Sequence, residues 1–243
     1  MRNAKVFFIA ALVLLFAFFG EAQNAKEKLI HVIVALCDNR YQGIVPVPER
    51  LGNGDSPGTN LYWGAAFGVK NFFKLSKKWK LISEKQKPTT TILERCTFQR
   101  DEVVLVADAY RGREIKIAIA DFLDKAAGFN SKANLICFVG HNGLMDFNLD
   151  HYPKSKDSGL RDVMILACAS KNYFYQPILQ TKANPVLWTT GLMAPEAYVL
   201  QAAIDGWLAG KTGDEIRTLA AESYNKYQHC GLNAAKKLFA TGW

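Results

Sequence analysis

Two residues combine reactive side chains with informative positions. Residues 134–140 (NLICFVG) lead straight into His141-Asn142-Gly143, and residues 162–167 (DVMILA) lead straight into Cys168-Ala169-Ser170. Short, continuously apolar, β-branched runs are what strands buried on both faces of a parallel sheet require. In open α/β sheets, ligands and catalytic groups gather at the carboxyl ends of the strands. A thiol and an imidazole on neighbouring strand ends share one rim. The thiolate is the nucleophile, and a nearby imidazole favours it, so the pair suits attack on a carbonyl carbon. The oxyanion formed in that attack needs donors. Gly143 lets the backbone approach a substrate, and the Cys168 amide is the second candidate. The competing account is a buried structural thiol and a hydrogen-bonded histidine.

The remaining elements are those that must hold this rim in place. Residues 29–37 (LIHVIVALC) form the opening strand, followed by a long loop rich in Gly, Pro and Asn from Asp38 to Asn60. Loops of that length inside a compact domain are more often functional than idle. Helical spacing of apolar residues runs from Leu61 to Leu75. Strands are expected over 79–83, 89–98 and 103–107, and a helix over 114–127 stopped by Gly128. After Cys168 come a helix through Leu179, a strand over 185–189, and two helices over 195–209 and 213–227. Strands alternating with helices predict a three-layer α/β/α domain with a mainly parallel sheet.

A basic start at Arg2 and Lys5, an apolar run from Val6 to Phe19 and small residues at Gly20 and Ala22 have the pattern of a secretory signal. Residues 1–22 are expected to be removed, leaving one domain over 23–243, secreted or periplasmic. The apolar run is shorter than the roughly 18 residues that span a bilayer, so no stable membrane insertion is expected after cleavage. Removal of Arg2, Lys5 and Glu21 takes one unit from the formal charge of +8. The lysines, densest over 74–87 and 236–237, read first as solvated faces, and no aromatic-interleaved basic motif points to nucleic acid. About 220 residues suffice for one core without disulfides. The cysteine count of 5 leaves at least one thiol unpaired.

Several other signals are set aside. Gly54-Asp55-Ser56-Pro57-Gly58 has the spacing of a serine-hydrolase elbow, but no strand precedes it and Pro57 lacks the N–H that the oxyanion needs. His31, His141, His151 and His229 have no metal-ligand spacing, so no metal is expected, and no cofactor motif is present. His151 is read as a surface residue. Asp108 and Arg111 are read as a salt-bridged loop after their strand. Asp146 either orients His141 or opens a turn.

The order His141 with Gly143 after one buried strand, then Ala167-Cys168 after the next with Ser170 two residues on, resembles the caspase, legumain and gingipain superfamily of cysteine peptidases. The strand ending at Trp188-Thr189-Thr190-Gly191, followed by two helices, is similar in placement to the strand lining that superfamily's substrate cleft. The resemblance implies a caspase-like fold and a cysteine peptidase acting on peptides or proteins. Cys168 would be its nucleophile, His141 its acid and base, and Gly143 and Cys168 its oxyanion donors. It further implies a substrate-binding role for Arg40 in the loop after the first strand. Asn142 departs from the family pattern, which has Gly directly after His. That departure, and the lack of a clear acid for His141, favour an alternative: an inactive exported module that binds a protein or glycan through its first loop.

Overall fold

The computed structural model describes residues 28–243, so the expected signal at 1–22 lies outside the described residues. Eight strands form one sheet: β1 (Lys28–Ala35), β2 (Lys80–Gln86), β3 (Ile92–Arg100), β4 (Val103–Tyr110), β5 (Leu135–Val139), β6 (Asp162–Leu166), β7 (Asn184–Thr189) and β8 (Phe239–Ala240). Their order is β2-β3-β4-β1-β5-β6-β7-β8. The run from β4 through β7 is parallel, while β2 and β3 pair antiparallel on one side and β8 antiparallel on the other.

Among the described residues six α-helices accompany the sheet: α1 (Val69–Leu75), α2 (Ile115–Ala126), α3 (Ser170–Thr181), α4 (Ala197–Leu208), α5 (Gly213–Gln228) and α6 (Leu232–Leu238). Alternation within the central strands sorts their side chains into two cores. Val32, Val34, Cys137, Val139, Met164 and Leu166 face α1, α4 and α5. Ile33, Ile136, Phe138, Val163 and Ile165 face α2 and α3, where Phe122, Phe138 and Phe174 pack ring against ring. A strand covered on both sides has no solvent face, which is why β5 and β6 read as unbroken apolar runs. No helix among the described residues is long and apolar enough to cross a membrane.

Two expectations change. The helix expected over 61–75 begins only at Val69, because Trp63 and Ala65 donate their amides to the Asn60 carbonyl and hold 61–67 in turns. Asp108 lies within β4 rather than in a loop. Its carboxylate, 1% exposed, accepts from Arg95 Nε at 2.5 Å, Arg95 Nη2 at 2.7 Å and His31 Nε2 at 2.9 Å, while Arg111 pairs with Asp55. Asp108 and Arg111 therefore form no salt bridge with each other. The strand needs this arrangement, since a carboxylate buried in a sheet persists only with its charge paired.

Candidate active site

Register sets where the two candidate residues stand. β5 and β6 pair parallel through Val139 and Leu166, and the Gly140 amide donates to the Leu166 carbonyl at 3.2 Å. One residue further on each chain beyond Gly140 and Ala167, His141 and Cys168 leave the same rim from strands about 4.8 Å apart. Gly140 makes the exit possible. Its φ is +149°, and a Cβ there would meet the Ala35 carbonyl of β1 at 2.8 Å. Such backbone favours glycine alone.

The Cys168 backbone is fixed from three directions. Thr189, at the end of β7, donates its hydroxyl to the Ala167 carbonyl. The Asn142 amide nitrogen Nδ2 donates to the Cys168 carbonyl at 2.6 Å. Ala169, in the left-handed region at φ 47°, donates its N–H to the Gly191 carbonyl at 2.8 Å. Left-handed backbone at a residue with a Cβ costs about 1–2 kcal/mol. The buried Ser170 and Thr189 hydroxyls hold that sharp turn into α3, with Ser170 Oγ donating to the Ile165 carbonyl at 2.9 Å and accepting from the Thr189 amide at 2.9 Å.

His141 is buried at 7% exposure, and its Nε2 lies 2.7 Å from Asp146 Oδ2. With the Nε2 proton donated to this carboxylate, a neutral ring has its Nδ1 lone pair available to take one. The same carboxylate oxygen accepts from the Gly43 amide at 3.0 Å, which ties the first loop to the histidine loop. Of the two expectations for Asp146, orienting His141 or opening a turn, the first describes its carboxylate. The thiol does not engage the imidazole. Cys168 Sγ accepts from the Met193 amide at 3.4 Å and donates to the Met193 carbonyl at 3.5 Å.

The amides expected to hold an oxyanion differ in what they bond. The Gly143 amide donates to the His141 carbonyl at 3.1 Å, and a Cβ on Gly143 would strike Phe147 and Ile119. Gly143 is thus packed into the α2 side of the core with its N–H spent locally. It does not offer the donor expected of it. Among the described residues the amides of Asn142 and Cys168 have no hydrogen-bond acceptor. Asn142, fully buried next to His141, thus has an unengaged N–H, besides clamping the Cys168 carbonyl.

Arg40 is exposed on the first loop, three residues before Gly43, and its guanidinium pairs with nothing among the described residues. The loop itself is held by one buried side chain. Asn60 spans it, donating to the carbonyls of Cys37 and Asn53 and accepting from the amides of Cys37 and Tyr62 at 2.8 to 3.1 Å. Asn60→Ala leaves these buried groups unpaired and is expected to cost about 2–3 kcal/mol. A lower denaturant midpoint, together with faster proteolysis within 38–60, would check it.

The other thiols differ from Cys168. All five cysteines are free. Burial pushes Cys37 up to about 11 and Cys96 up to about 12, and it drives Cys137 higher still. Such thiols stay protonated at neutral pH and are poor nucleophiles. Cys168 is half-buried and Cys230 is exposed. His151 is exposed, as expected of a surface residue. Among the described residues, Glu84, Glu94 and Cys96 come close enough together to hold a metal ion, but Lys70 bridges the two carboxylates and already supplies the cation. A cavity of about 480 Å³ lined by Lys28, Glu102, Val103 and Leu208 lies at the amino-terminal end of β1 and β4, away from the thiol.

Comparison with known proteins returns no matching family model, no matching curated protein and no matching solved structure.

Proposed function

We propose that the chain is an exported cysteine peptidase, or a related amide hydrolase, with a caspase-like fold. The observation that carries this is the placement of His141 and Cys168 just past the carboxyl ends of adjacent parallel strands. Around them stand Asp146 on the imidazole and two free amides, those of Asn142 and Cys168. Cys168 Sγ attacks the substrate carbonyl, the free amides hold the oxyanion, and His141 takes the thiol proton through Nδ1 and returns it to the leaving amine. Water then cleaves the thioester by the same route. Asp146 keeps the ring in the required tautomer. Arg40, exposed on the loop tied to Asp146, is the residue we assign to a substrate side chain. The resemblance in element order supports the fold assignment, and the N-terminal pattern of residues 1–22 supports export.

Hydrolysis of blocked fluorogenic peptides by purified protein, abolished by Cys168→Ala, tests the proposal. Asp146→Ala frees the ring to turn, and kcat is expected to fall by about one to two orders of magnitude with KM nearly constant. A fall in kcat/KM carried wholly by KM would contradict that role.

A second reading, a catalytically silent module that binds partners through the loop 38–60, is favoured by the Met193 contacts on the thiol. The peptidase reading requires the 190–196 segment to shift before attack. The silent module requires no such movement and gives no thiol-dependent turnover.

A further inference from the structure

A cavity of about 430 Å³ opens beside the first loop, its walls including Arg50, Leu51, Thr59, Ala65, Phe67 and Glu196. Glu196 is half-buried directly before α4. One carboxylate oxygen, Oε2, accepts from the Tyr198 hydroxyl at 2.7 Å and from Gln228 Nε2 at 3.1 Å. Among the described residues, the other, Oε1, has no hydrogen-bond donor, and no Lys, Arg or His lies within ion-pairing distance of either oxygen. Arg50 shares the cavity but does not pair with Glu196. Burial pushes the Glu196 carboxyl up, and its two neutral donors only partly offset this. A carboxylate so placed lacks a counter-charge.

The aromatic surroundings point the same way. Phe67, 39% exposed, packs edge-on against Tyr198 and Tyr227 with ring centroids 5.7 and 5.1 Å away. An exposed ring next to an unpaired carboxylate is the combination that holds a guanidinium or ammonium group. The cavity is also near the thiol. Glu196 follows Met193, whose backbone touches Cys168, by three residues, so the two Cα atoms are at most about 11 Å apart.

We infer that this cavity takes the cationic end of an arginine or lysine side chain flanking the bond to be cut, with Glu196 as counter-charge and Phe67 as its wall. The position of the cut bond rests on the peptidase reading above, whereas binding of the basic side chain does not.

Full-length Cys168→Ala protein, which cannot turn over, is titrated by calorimetry with three blocked peptides. Each carries one arginine, lysine or citrulline in an alanine background. The basic peptides are expected to bind about tenfold tighter than the neutral citrulline isostere. Adding Glu196→Gln, which keeps an acceptor for Tyr198 and Gln228, removes that preference, and Phe67→Leu weakens it. Equal affinity for arginine and citrulline, no binding at millimolar peptide, or a preference that survives Glu196→Gln overturns the inference. Wild-type hydrolysis of the same peptides separates the two proposals. Selective binding without Cys168-dependent cleavage sinks the peptidase reading alone, and cleavage with no preference for basic residues sinks the cavity assignment alone.

Discussion

Cys168→Ala is expected to abolish hydrolysis, with a loss of about four to six orders of magnitude in kcat, the scale set by removing the nucleophile from a covalent mechanism. Folding is expected to survive, because the bonds that shape the turn involve the Ala167, Cys168 and Ala169 backbone and the Ser170 and Thr189 hydroxyls rather than the sulfur. His141→Ala should lose nearly as much, and the double variant no more than either single change. Groups that act as one unit are strongly non-additive. Two losses that multiply, or measurable turnover by the alanine variant, would mean that the thiol and the ring do not share a reaction.

Asp108→Ala carries the largest expected effect on stability, about 3 kcal/mol. That is the lower end of what removing one member of a buried pair costs, because Arg95, 38% exposed, can swing its guanidinium towards water. Burial pushes the Asp108 carboxyl up, but the hydrogen bonds from His31 and Arg95 outweigh it and leave the group below the usual carboxylate range. The stabilisation is therefore complete above the unfolded value, near 4 for an aspartate, and is lost as pH falls through the lower folded value. Urea midpoints should drop by about 1 M in the variant at pH 7. The wild type should lose part of its advantage over the variant below about pH 4. An advantage constant from neutral pH to well below pH 3 would contradict the paired carboxylate.

Legibility in the sequence followed how local each cause was. β5 and β6 were readable because burial on both faces writes an unbroken apolar run, and the reactive residue after each run was visible with it. α6 and β8 were not. Residues 232–238 are only seven and include Lys236 and Lys237, and a two-residue edge strand leaves no periodicity. The truncation of α1 traces to Asn60, whose side chain grips the Cys37 backbone across 23 residues of chain. No pattern in the sequence announces such a long-range bond. Asp146 lies five residues after His141 and could be nominated as its partner. Met193 reaches Cys168 from beyond the next strand, so its contact depends on packing. Gly143 does not present a free donor for a local reason: the turn after His141 spends its amide, while that of Asn142 stays unengaged.

The most direct test of the central claim compares two thiols in one molecule. At pH 7 the native protein is treated with iodoacetamide, and alkylation of Cys168 and exposed Cys230 is followed separately by peptide mass analysis. A thiol activated by His141 should react at least about tenfold faster than Cys230, and His141→Ala should bring its rate down to or below that of Cys230. Alkylation of Cys168 slower than that of Cys230, and indifferent to His141→Ala, would contradict the account.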